Sequence, residues 1–217
     1  MEFPRAPGVG VSLLLLTAIV FPLIVDNPYL VSVVVTAYVT AIAVYGLDVM
    51  LGYTGQLSLA QGGFFGVGGY TAGILMASYD VSFWIALPAA VAMTSALGYL
   101  IGLAALRTRG DYFAIFTLAV GVMIVIIIER WEDVTGGTDG LIGIPAPSGI
   151  GPLQFDSLTA QYYLILFFLV VTIYVVWSLM DSLVGRTFIA VRNSEELARA
   201  VGIDAGRTHQ LAFVISA

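Results

Sequence analysis

The chain has no lysine, no cysteine and a single histidine, and only 10% of its 217 residues are charged. Each shortage excludes something. A P-loop needs a lysine to reach nucleotide phosphates, and a Schiff-base enzyme or retinal pigment needs a lysine amine. Without cysteine there is no disulfide, no thiolate nucleophile and no cysteine-based metal centre. The lone His209 cannot form a histidine cluster, and it reads as an interfacial loop residue rather than a ligand. The sequence therefore predicts no catalytic residues, no metal site and no bound cofactor. Energy for active work would have to come from a gradient or from another protein.

What remains is apolar. Hydrophobic residues make up 59% of the chain and the mean hydropathy is +0.99, whereas a soluble domain carries roughly 25% charged residues. Such a chain belongs in lipid, where about 20 apolar residues cross the hydrocarbon as a helix. Six runs fit, at 9–25, 29–47, 57–79, 83–106, 112–128 and 162–180. Helices are expected because their backbone bonds close internally. A barrel would need short alternating strands, and these runs are continuous. The first run has a long apolar core and no clear small-residue cleavage pattern, so it reads as a retained span. Residues 211–217 are too few to cross the bilayer. They predict the start of a seventh span, in a chain expected to be truncated at its C-terminus. The fold class is thus an all-α, polytopic transmembrane bundle, with residues 1–217 as one domain.

The eight basic residues are all arginine, against fourteen acidic ones. With the N-terminus and Arg5 inside, six crossings also place Arg107, Arg109, Arg186, Arg192, Arg199 and Arg207 inside. Only Arg130 falls outside, beside Glu129, Glu132 and Asp133. This follows the positive-inside rule and predicts a cytoplasmic N-terminus.

Four segments can carry function. In the first, seven glycines (52, 55, 62, 63, 66, 68 and 69) accompany Thr54, Gln56, Ser58 and Gln61. Small-residue ridges let helices approach closely. Polar side chains are costly against lipid, so these four should face protein or a wet path. Interrupted helices of this kind line transport sites, and Thr54, Gln56, Ser58 and Gln61 are the candidate pathway residues. In the second, Arg107 and Arg109 anchor the inner face, and Asp111 offsets the next helix dipole. The third, at 135–145, is Gly-rich and turn-prone. It lacks calcium-loop spacing and reads as a compact connector, as a contact for an external partner or as the mouth of the pathway. The fourth, 181–207, holds eight of the 22 charged residues. Asn193 is a good N-cap, Glu196 resembles its capping-box partner, and Gly202 is a stop signal. Leu197, Ala198 and Val201 share one side. So short a helix needs a surface to lie on, either the rest of the protein or a partner.

As a set, these stretches resemble the permease subunits of branched-chain amino acid ABC importers, of the LivM type. The matching stretches are GYTGQLSL from Gly52, FFG from Phe64 with Tyr70-Thr71, RTRGDYFA from Arg107 and TGGTDGL from Thr135 with Gly143-Ile-Pro145. The last runs from Gly185-Arg186 to Ala198-x-Ala-Val-Gly-Ile203. Ala60-Gln61 departs from the Gly-His usual in the family. The resemblance implies a multi-pass protein of a prokaryotic cell membrane that forms half of a translocation pathway. It implies cytoplasmic ATPase subunits that consume ATP, a second, LivH-like permease subunit and an extracytoplasmic solute-binding protein. It also implies that 181–207 is the coupling segment, like the EAA loop of importers. Arg192, Glu195, Glu196, Ala198, Ala200 and Gly202 would then meet the ATPase. Permeases for urea, amides or sugars are similar. An ATP-independent ion-coupled carrier, with Asp48 as its nearest intramembrane acid, and a purely structural membrane protein remain the other classes.

Overall fold

The computed structural model describes residues 8–108, 110–149 and 154–217; Arg5 and Arg109 lie outside the described residues. Ten α-helices follow one another, with no strand among the described residues: α1 (Gly8–Ile24), α2 (Pro28–Asp48), α3 (Gln61–Tyr79), α4 (Phe83–Ala105), α5 (Asp111–Arg130), α6 (Glu132–Thr135), α7 (Leu158–Asp181), α8 (Leu183–Asn193), α9 (Glu195–Ala200) and α10 (Ala205–Ser216). A six-residue π-helix, Val49–Thr54, extends α2.

Four helical stretches are long and apolar enough to cross a membrane: Pro28–Thr54, Phe83–Ala105, Tyr112–Arg130 and Leu158–Asp181. The expected first span forms the 17-residue α1. The expected third span does not start at Leu57; its helix opens at Gln61, and α2 runs on to Thr54 instead. Six glycines and Gln61 make α3 less apolar than its neighbours.

Local chemistry sets the helix starts. Asn27 caps α2, its side chain accepting the Tyr29 N–H at 3.0 Å, with Pro28 in the first turn, where a missing N–H costs nothing. Ser157 caps α7 and Asp204 caps α10 in the same way. Many large apolar side chains on α1, α4, α5 and α7 are exposed, including Leu14, Leu100, Ile115 and Trp177. In a bilayer such a surface meets acyl chains at no cost.

The interior is divided in two along the bundle. Towards the end where α1 finishes and α2 and α7 start, Tyr162 is fully buried and clusters with Val31 and Leu166. Its hydroxyl donates to the Ala18 carbonyl at 2.7 Å and receives the Tyr38 hydroxyl at 3.0 Å, so one phenol ties α1, α2 and α7 together. Towards the other end lies the larger cluster, in which Val49, Met50, Phe64, Phe113, Phe188 and Phe213 pack on one another. Here the π-helix, α8 and α10 meet the ends of the long helices.

The corner between α7 and α8 admits only glycine. A Cβ at Gly185 would overlap the Met180 backbone, whereas one at Gly62 meets nothing within 4 Å. Gly185→Ala is therefore expected to cost about 1–3 kcal/mol through overpacking, and Gly62→Ala to leave stability unchanged. Thermal unfolding of the two variants in one detergent checks this, and equal midpoints would contradict it.

Candidate functional site: a broken helix and an exposed helical turn

Residues 55–60 are not helical, although the π-helix precedes them and α3 follows. An interrupted backbone among apolar helices must find partners for its freed N–H and C=O groups, because an unmet one costs several kcal/mol in lipid. The partners are specific. Gly55 turns into the left-handed region at φ 75°, which needs no strain without a Cβ. The Met50 carbonyl then receives the Gly55 N–H, the Gln56 N–H at 3.2 Å and the Thr54 hydroxyl at 2.7 Å. The Leu59 N–H crosses to the Thr117 hydroxyl of α5 at 3.0 Å. Gln61 Nε2 donates to the Ser216 carbonyl of α10 at 2.6 Å, and the Ser216 hydroxyl returns a bond to Gln61 Oε1 at 3.1 Å.

Two glycines make room for this crossing. A Cβ at Gly46 would sit 2.8 Å from the Ser216 carbonyl oxygen and 2.9 Å from Gln61 Nε2. One at Gly121 would sit 3.1 Å from the Leu59 carbonyl oxygen. α2, α3, α5 and α10 thus converge on the break.

Of the four sequence-predicted pathway residues, two are committed internally. Thr54 is buried and bonded to Met50, and Gln61 is locked to Ser216. The other two keep unused capacity. Ser58 is buried and its hydroxyl has no partner among the described residues, and neither has the buried side-chain oxygen of Gln56. They offer a donor–acceptor hydroxyl and an acceptor to a polar group that enters the break. Further along α3, an apolar cavity of about 280 Å³ opens towards α5 and α6, with Val67, Tyr70, Ile124, Ile128 and Trp131 in its walls. The 135–145 segment folds back over α3, since Leu141 and Ile144 lie against Gly73.

The 181–207 segment is more structured than one loop helix. α8 is amphipathic, with Gly185, Phe188 and Val191 buried and Arg186 and Arg192 outside. The cap of α9 is Ser194, one residue later than Asn193; its hydroxyl accepts the Leu197 N–H at 3.3 Å. Glu196 is consequently not the capping-box partner. Gly202, at φ 89°, ends α9 in a Schellman motif: its N–H bonds the Arg199 carbonyl and the Ile203 N–H bonds the Ala198 carbonyl, each at 3.0 Å. His209 does not lie in a loop but is buried on α10.

The predicted coupling residues divide likewise. Ala198 is buried with Val191 and Ala205. Glu195 pairs with Arg199 at 2.5 Å. Arg192, though exposed, reaches across to the π-helix, its guanidinium donating to the Gly52 carbonyl. Glu196, Ala200 and Gly202 are exposed. Beside them, Leu197 and Val201 are 70% and 78% exposed, so these two do not share the buried side of Ala198. Ser58, Gln56 and the exposed turn of α9 are held by elements that meet around the π-helix.

Among the described residues, apolar helices long enough to cross a membrane thus carry one broken helix, braced by its neighbours, and one exposed, charged helical turn. The sequence matches the family described as branched-chain amino acid transport system / permease component over residues 29–217, and the chain belongs to that family. It is 32% identical, over 94% of its length, to the high-affinity branched-chain amino acid transport system permease protein LivM of Escherichia coli (strain K12) and to its namesake from Salmonella typhimurium (strain LT2). It spans 53% of the length of each. No solved structure matches.

Thr117 was not among the residues singled out from sequence. A lone threonine in an apolar run ordinarily bonds its own helix, as its 3.0 Å bond to the Ala114 carbonyl does. Thr117→Val should leave the Leu59 N–H unmet, destabilising the protein by about 1–3 kcal/mol. Thr117→Ser should restore most of the loss. Detergent-resistance melting curves of the pair provide the check; identical losses would show that the hydroxyl is not what matters.

Proposed function

We propose that this chain is a permease subunit of an ATP-driven importer for branched-chain or related hydrophobic amino acids. The observation that carries the reading is family membership over 29–217, joined to a broken helix in which the Ser58 hydroxyl and the Gln56 side-chain oxygen have no partner among the described residues. On this reading the chain crosses the membrane six times and begins a seventh crossing, with its N-terminus and its arginine-rich end in the cytoplasm. It has no ATPase site of its own. Cytoplasmic ATPase subunits supply the energy, a LivH-like permease completes the pathway and an extracytoplasmic binding protein delivers the cargo. The cargo's polar end meets Ser58 and Gln56, while the cavity beside α3 suits an aliphatic side chain.

The inner segment supports a coupling role. A helical turn that exposes Leu197 and Val201 next to Glu196 presents an apolar centre with a charged edge, as docking surfaces do. Arg192, at the end of the preceding α8, holds the π-helix directly. A displacement of α8 and α9 by a closing ATPase pair therefore reaches the π-helix and the adjacent break without passing through solvent. The ATPase cycle would bias the pathway between outward and inward states that hold the cargo unequally.

Replacing Leu197 and Val201 together by serine, or Glu196 by lysine, is expected to weaken ATPase docking about tenfold, equivalent to roughly 1.4 kcal/mol, without altering membrane insertion. Co-purification with the ATPase subunits measures it, and unchanged recovery would remove the coupling assignment. Ser58→Ala with Gln56→Ala is expected to reduce ATP-dependent leucine uptake in proteoliposomes while assembly persists. Uptake driven by an ion gradient with no ATPase present would replace the importer reading with an ion-coupled carrier.

A further inference from the structure

A second cavity, of about 500 Å³, lies between α4 and α10 at the arginine-rich end. Its chemistry changes along its length. Arg107 and Arg207 stand at one extremity, and Tyr99, Leu103 and Leu211 form the walls. Those walls belong to the outer surface of the bundle, with Tyr99 52%, Leu103 49% and Leu211 44% exposed. Gln210 closes the floor. Its Nε2 donates to the Tyr99 carbonyl at 2.7 Å, and its amide fits against Gly102, where a Cβ would lie 2.7 Å from Oε1. This bond and this glycine hold the two helices at a fixed separation, so the groove is built rather than incidental.

We propose that this groove binds an anionic phospholipid from the leaflet at the arginine-rich end. The two guanidiniums sit where the α4–α5 turn and the start of α10 leave the apolar zone, the depth of phosphate groups in a bilayer. Guanidinium binds phosphate through paired, charge-assisted hydrogen bonds, and basic pockets between spanning helices on the inner side hold anionic headgroups. The Arg107 side chain has no hydrogen bond or ion pair among the described residues. Arg207 contacts Asp204 at 3.2 Å, but both side chains are largely in solvent, at 90% and 58% exposure. Such a pair is weak, and the other Asp204 oxygen already caps α10 through the Arg207 N–H at 3.0 Å. Among the described residues that line the groove, the two arginines are the only charged ones. The aliphatic walls run from that end along the lipid-facing surface, in line with one acyl chain. A soluble phosphate compound would leave those walls uncovered, and a lipid covers both parts at once.

The test is lipid retention. The purified full chain is reconstituted in vesicles of equal parts phosphatidylglycerol and phosphatidylcholine, extracted into mild detergent and weighed by native mass spectrometry. Phosphatidylglycerol should remain bound in preference to phosphatidylcholine. Each arginine near an anionic surface contributes roughly fivefold, so R107Q/R207Q should lower retention by up to about thirtyfold. Leu211→Trp, which fills the groove and keeps both arginines, should also lose the lipid. Arg186→Gln, at the same end but outside the groove, should retain it as the parent does. Equal retention of the two lipids, an unaffected double variant, an unaffected Leu211→Trp or an equal loss with Arg186→Gln would each overturn the proposal. So would a photo-crosslinker at Leu103 that captures polypeptide instead of lipid.

Discussion

Everything in this structure answers to the need of a peptide group to be hydrogen-bonded where water is scarce. An intact helix meets that need by itself, but residues 55–60 leave the helix between the π-helix and α3. Their N–H and C=O groups must then be met by other elements, and those elements are held in place by the same bonds. The Met50 carbonyl collects donors from Thr54, Gly55 and Gln56. Thr117 brings α5 in, and the Gln61–Ser216 exchange brings in α10. Gly46 and Gly121 allow the backbones to come close enough. Loss of any one contact leaves a polar group in an apolar setting, so the arrangement holds as a set.

The same constraint explains why α8 lies against the bundle instead of extending away from it. Phe188 completes the cluster that contains Met50, Phe64 and Phe213, and Arg192 answers the Gly52 carbonyl at the π-helix. α9 then turns outward between Ser194 and Gly202, each of which satisfies backbone groups at one end of a helix too short to be stable alone. Its exposed apolar turn therefore stands on a rigid base only one helix away from the break. On the coupling role proposed above, this proximity gives a partner that grips α9 a direct mechanical route to the break.

The outside of the bundle is divided by solvent. Large aliphatic and aromatic side chains cover α1, α4, α5 and α7, where hydrocarbon accepts them. Arginines collect at one end, on the α4–α5 turn, α8, α9 and α10. The groove between α4 and α10 lies where these two surfaces meet, which is why it is charged at one end and aliphatic along its walls.

Composition and run length alone determined that the chain is helical and lipid-dwelling, because hydropathy summed over a span outweighs any single contact. They also marked the Gly-rich polar stretch, the stop at Gly202 and the charged segment 181–207, since glycine and capping residues act through local backbone geometry. The helix start at Gln61 in place of Leu57, and the cap at Ser194 in place of Asn193, could not be decided that way. Neighbouring residues of equal local merit are separated only by what packs against them. The tertiary structure alone decided that Arg192 reaches back to the π-helix, that His209 is buried, that Leu197 and Val201 are exposed, and that Thr117 serves a backbone group 58 residues away. Direction and partnership across helices depend on their relative rotation and depth, and no periodicity within a single helix encodes those.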